Sequence, residues 1–61
     1  MLKVTFAKSQ GGSMWVKGRS LTWDELDGWT MESFRGDSQG HEPGGTWYAP
    51  AGWQIVQVEE E

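Results

Sequence analysis

The chain has 61 residues, nine of them acidic and five Lys or Arg, for a net charge of −4, and it contains no cysteine. That length gives room for one small domain over residues 1–61 and excludes a multidomain enzyme or a dinucleotide-binding sheet. Without cysteine there are no disulfide staples, no thiolate metal site and no Cys nucleophile.

Residues 2–8 alternate, with Leu2, Val4 and Phe6 on one face and Lys3, Thr5 and Ala7 on the other, the period of a half-buried strand. Ser9-Gln10-Gly11-Gly12 is turn chemistry. Residues 13–19 alternate again, Met14 and Val16 against Trp15, Lys17 and Arg19, so residues 2–19 read as a β-hairpin. Thr22 and Glu25 then have the spacing of a helix capping box, and Gly28 suits a helix stop, which predicts one or two helical turns from Trp23 to Asp27. Over residues 29–34 the alternation of Trp29, Met31 and Ser33 with Thr30, Glu32 and Phe34 favours a strand over a continued helix.

Gly36 to Gly45 holds four Gly, one Pro and no apolar side chain, and reads as a long mobile loop. Thr46 to Ala49 is a short strand, Pro50-Ala51-Gly52 a turn, and Trp53 to Val58 the strongest strand signal, with Glu59 to Glu61 running into solvent. The expected fold is α+β: a small, mostly antiparallel sheet of four or five strands with one short helix, order β-β-α-β-loop-β-β, packed as a layer or a partly open barrel. The expected core is Leu2, Val4, Phe6, Met14, Val16, Leu21, Leu26, Met31, Phe34, Ile55, Val56 and Val58.

Secreted domains of this size lean on disulfides, so their absence points to a reducing compartment, most simply the cytoplasm. Met1 to Phe6 has no apolar run of signal-peptide type, and no stretch approaches the roughly 20 apolar residues of a membrane span. The chain reads as a complete short gene product. Its charge is split: residues 1–19 carry Lys3, Lys8, Lys17 and Arg19 with no acid (+4), and residues 20–61 carry nine acids with only Arg35 (−8). If the first and last strands pair, Lys3 and Lys8 meet Glu59, Glu60 and Glu61.

Five Trp in so short a chain is the main anomaly. Most must pack inside, but indoles are hard to hide completely, and exposed Trp is enriched where partners bind. The candidates are Trp15, on the polar face of the hairpin, and Trp47 with Tyr48, beside the Gly-rich loop. Asp24, Glu25 and Asp27, with Glu32 and Asp37, are capping and solubility charges that could also steer a basic partner. Lys3, Trp15, Lys17 and Arg19 form the alternative, an aromatic and basic face for single-stranded nucleic acid, at odds with the acidic balance of the chain. Trp47, Tyr48 and Trp53 suit sugar stacking, a weaker match for a chain of this setting.

His41, with Asp37 and Glu42, lacks the further ligands of a zinc site and reads as a solvated loop residue. No nucleophile, phosphate-loop or metalloprotease motif is present. The expectation is therefore a non-enzymatic protein that works by protein–protein contact, with no cofactor and no metal, and with a homodimer as an extension. In type, though by no shared motif, the short, acidic, Cys-free, Trp- and Gly-rich profile resembles the small accessory proteins of bacteriophages and mobile elements, some of which inhibit a host enzyme by occupying its surface.

Overall fold

A computed structural model describes all 61 residues. The chain forms six strands: β1 (Leu2–Lys8), β2 (Ser13–Gly18), β3 (Ser20–Asp24), β4 (Gly28–Glu32), β5 (Thr46–Tyr48) and β6 (Trp53–Glu60). They make two three-stranded antiparallel sheets, β2-β1-β6 and β3-β4-β5. The fold is thus all-β, with no helix and no closed barrel, and the α+β expectation is corrected. No helix is long and apolar enough to cross a membrane.

The predicted helix at Trp23 to Asp27 is the tip of a hairpin. Trp23 pairs with Trp29 and Asp24 with Gly28. Asp24 Oδ1 accepts from the Leu26 N–H at 2.7 Å and the Asp27 N–H at 3.2 Å, and Gly28 takes a φ of 71°. Thr22, the expected cap of the box with Glu25, lies instead within β3 opposite Thr30, and the amide-capping role falls to Asp24 in an Asx turn, whose residue types resemble those of a helix start. What decides is the strand on either side, with a glycine in the left-handed region closing a short hairpin loop. Residues 29–34 follow the strand reading as far as Glu32.

β2 and β3 are one strand bent at Gly18-Arg19, and residues 28–38 run antiparallel to it from Asp24 back to Trp15. The Arg19 N–H donates to the Glu32 carbonyl at 2.8 Å, and beyond the bend the Arg35 N–H donates to the Lys17 carbonyl at 2.8 Å. Asp37 bridges Val16. Gly18 is needed at the corner: a Cβ there would collide with Cγ and Sδ of Met31 and with the Glu32 carbonyl oxygen. On the opposite strand Ser33 absorbs the bend with a φ of 55°, the only non-glycine residue in the left-handed region.

The bend lays the two sheets against each other over a core of Val4, Phe6, Met14, Val16, Met31, Phe34 and Trp47. Trp47 is the largest member, only 8% exposed, with the Phe6 ring tilted against it at 5.4 Å and the Phe34 ring stacked at 6.4 Å. Leu2, Leu21 and Ile55 flank this cluster. Three expected core residues lie outside it. Leu26 tops the β3–β4 hairpin, 94% exposed. Thr5 pairs with Gln57 but Phe6 with Ile55, so Val56 is the extra residue of a bulge and turns outward. Val58 pairs with Val4 near the end of β6, a strand whose only neighbour in the ladder is β1, and stays half exposed.

The first and last strands do pair, with Lys3 opposite Glu59 as expected, but Lys8 lies opposite Trp53 and the close ion pairs of the acidic end are made by other cations. Lys17 Nζ lies 2.9 Å from Glu61, and the Met1 amine lies 3.0 Å from Glu60. Glu59 and Glu60 belong to β6, opposite Lys3 and Leu2, and do not run free. Gly18→Ala is expected to lower stability by about 1–3 kcal/mol, the range for overpacking. Urea unfolding checks it: the midpoint should fall with the slope unchanged.

Candidate functional site

The inner face of the β3-β4-β5 sheet continues past the core. Leu21 and Met31, and then Trp23 and Trp29, are cross-strand pairs on one face by the period of two. The Trp23 and Trp29 rings lie 5.3 Å apart, tilted by 57°. Toward the hairpin tip this face loses its cover and opens as a groove of about 350 Å³, lined chiefly by Trp23, Leu26, Trp29, Pro50 and Trp53. Trp29 and Trp53 are half-buried against the core, while Trp23 is 58% exposed. Glu25 and Asp27 stand in the same lining, which holds no Lys or Arg. The groove is thus an aromatic floor with an anionic rim, and the Trp53 ring already holds Lys8 Nζ at 4.9 Å from its centre.

The expected partner residues are divided. Glu25 and Asp27 are at this groove, and Asp24 holds the turn that presents them. Trp47 is a core residue and is not available to a partner. Tyr48 is exposed but follows Trp47 in the strand and so points to the other face of the sheet. The stacking set Trp47, Tyr48 and Trp53 is therefore dispersed. Glu32 lies at the far end of β4, within 3.5 Å of the Ser20 hydroxyl, and Asp37 is buried, so neither joins the acidic rim. Trp23 was hidden from sequence reasoning by its assignment to a helix. The usable signal was period-two patterning on both sides of Asp24 and Gly28.

The basic face is partly assembled. Lys3 and Lys17 Nζ lie 5.5 and 5.6 Å from the Trp15 ring on the outer face of the other sheet. Lys17 is also paired with Glu61, whose carboxyl is held below its usual range, first by the Lys17 hydrogen bond. Arg19 is elsewhere, in a cleft with Ser33 and Arg35.

The Gly-rich segment is organised at its start. Asp37, 7% exposed, accepts from the Gln39 N–H at 3.0 Å, the His41 N–H at 3.1 Å and His41 Nδ1 at 2.7 Å. Ser38 adds two bonds to Trp15: its N–H donates to the carbonyl at 3.1 Å, and its hydroxyl accepts from the N–H at 3.2 Å. The segment thereby covers the free edge of β2. His41 has an exposed ring yet is tied to Asp37, and no third ligand joins the pair. Compared with known protein families, characterised proteins and solved structures, the chain matches none.

Burial, the largest single influence on the Asp37 carboxyl, pushes its pKa up; the His41 ring and the His41 and Gln39 amides together outweigh it and hold the carboxyl below its usual value. The unfolded chain therefore binds this proton more readily than the folded one. The resulting stability is fully present above the unfolded value of about 3.9 and is lost as pH falls through the depressed folded value. Asp37→Asn is expected to remove that acid-side dependence and to cost about 1–3 kcal/mol at neutral pH. Urea midpoints of both proteins between neutral and acid pH check it.

Proposed function

We propose that this chain is a non-catalytic binding module that seats a basic segment of a partner protein in the Trp23–Trp29–Trp53 groove. One observation carries the reading: an open apolar groove floored by three indoles has Glu25 and Asp27 and no Lys or Arg among its lining residues, and one of its rings, Trp53, already takes a Lys8 ammonium. Exposed Trp anchors of this kind supply most of the binding energy at interfaces, and opposite charge at the rim sets encounter rate and register. The matching ligand is a Lys or Arg side chain flanked by apolar residues, its stem on the rings and its charge near Glu25 and Asp27. Groove-to-groove docking of a second copy would set these carboxylates against their own counterparts, which argues against a homodimer through this face. In this reading the chain acts by occupying a surface of a larger protein, in the cytoplasm on the ground of its Cys-free composition.

A second reading, nucleic acid on Trp15 with Lys3 and Lys17, is favoured by the two cations over one ring. Glu59 and Glu61 on the neighbouring strand end weaken it.

The test is a fluorescence titration with a peptide alternating Leu and Arg, beside its Leu and Glu counterpart and a single-stranded oligonucleotide. Saturable binding of the basic peptide alone is expected. Trp23→Ala should weaken it about tenfold or more while leaving the unfolding transition cooperative. Trp47→Ala should instead cost about 3–5 kcal/mol, the range for a truncated core aromatic, and abolish the fold. Equal response to both peptides, indifference to Trp23→Ala, or concentration-dependent dimers that block the groove would overturn the proposal. Salt-sensitive binding of the oligonucleotide, lost with Trp15→Ala, would replace it with the second reading.

A further inference from the structure

We infer that the cleft between Arg19 and Arg35 is a binding site for a phosphate dianion, free or as a monoester. This site is separate from the aromatic groove and does not depend on the function proposed for it.

The first support is what the other cations do. Lys3 and Lys17 lie over Trp15, and Lys8 over Trp53. The ion pairs are Met1 with Glu60, Lys17 with Glu61 and His41 with Asp37. Both arginines are left with neither a ring nor an acid, in a chain that carries nine acids. Both line the same cleft of about 300 Å³, together with Ser33 and Met1. The Met1 amine on this wall is already taken, by the Glu60 carboxylate at 3.0 Å and by the Glu61 main-chain oxygen at 3.1 Å.

The second support is that the strand bend positions them. Arg19 sits at the corner between β2 and β3, its N–H held by the Glu32 carbonyl, and Arg35 resumes the ladder beyond the corner, its N–H held by the Lys17 carbonyl. Two residues before Arg35, on the strand opposite Arg19, Ser33 keeps its left-handed φ of 55°, a conformation that costs free energy in a non-glycine residue and is held by its surroundings. Arg19, Ser33 and Arg35 thus line one concave surface.

Guanidinium groups only donate, and their planar forks match oxyanions in a bidentate manner. The ligand must therefore be an acceptor-rich anion. Two forks and a hydroxyl can address the three terminal oxygens of a phosphate monoester, whereas a carboxylate offers only two. Free phosphate, a small phosphate ester and a phosphorylated side chain share this chemistry.

The experiment follows backbone and Arg side-chain resonances of the intact chain as inorganic phosphate is added at low salt, with acetate at matched ionic strength as comparison. Saturable shifts at Arg19, Ser33 and Arg35 are expected with phosphate and not with acetate. Arg19→Gln and Arg35→Gln should each weaken the apparent affinity about tenfold, while Lys3→Gln with Lys17→Gln leaves it unchanged. Spectra of the variants that overlay elsewhere establish that they fold. A phosphoserine peptide that binds more tightly than phosphate identifies a phosphorylated protein as the source, and equal affinity identifies a small phosphate compound. Absence of saturable shifts, shifts that survive both arginine substitutions, or acetate matching phosphate would overturn the site.

Discussion

The close approach of Met31 to Gly18 turns a single antiparallel ladder into two layers. Residues 13–24 and 28–38 would otherwise form one long ribbon, which in isolation is at best marginally stable in water. Bending it at Gly18 and Ser33 lets β1 and β6 continue one half while β5 continues the other, and the two inner faces close on Phe6, Met31 and Trp47. Every other feature is placed by that corner. Arg19 and Arg35 line one cleft there, and Asp37 is carried back onto the edge of β2.

The corner also leaves part of one face uncovered. The β3–β4 hairpin extends its apolar face beyond the core, so Trp23 projects while Trp29 and Trp53 are half covered. A chain of this size has too few side chains to close over that surface. The aromatic groove is thus the unfinished end of the core, and its acidic rim comes from a turn that needs Asp24 for its own hydrogen bonds. Stability and recognition draw on the same hairpin: the backbone bonds hold the tip, and the tip presents Leu26, Glu25 and Asp27.

Charge is distributed by the same logic. The lysines spread over indoles on the sheet surfaces, where long stems cover apolar area and the ammonium stays wet. The one buried carboxylate, Asp37, is surrounded by donors and serves as an anchor for a segment with no apolar side chain of its own. Three hydrogen bonds do there what a hydrophobic contact does elsewhere in the molecule.

Period-two alternation was enough to determine the β1–β2 hairpin, the outward facing of Trp15 and Lys17, and five of the seven core residues, because each of these depends only on which side of a strand a side chain leaves; Phe34, on the face opposite Met31 by that alternation, reaches the core only past the bend at Ser33. Thr22, Glu25 and Gly28 were ambiguous, because the spacing of a capping box and a stop glycine also fits a strand that runs into an Asx turn, and only the pairing of Thr22 with Thr30 and Trp23 with Trp29 separates them. Val56 was unreadable because a bulge shifts the period by one, and a bulge is a property of the pair of strands. The burial of Trp47 and the exposure of Trp23 depend on how far one sheet reaches over the other. That reach is set by the bend at Gly18, through contacts between residues far apart in the chain, so only the tertiary structure decided them.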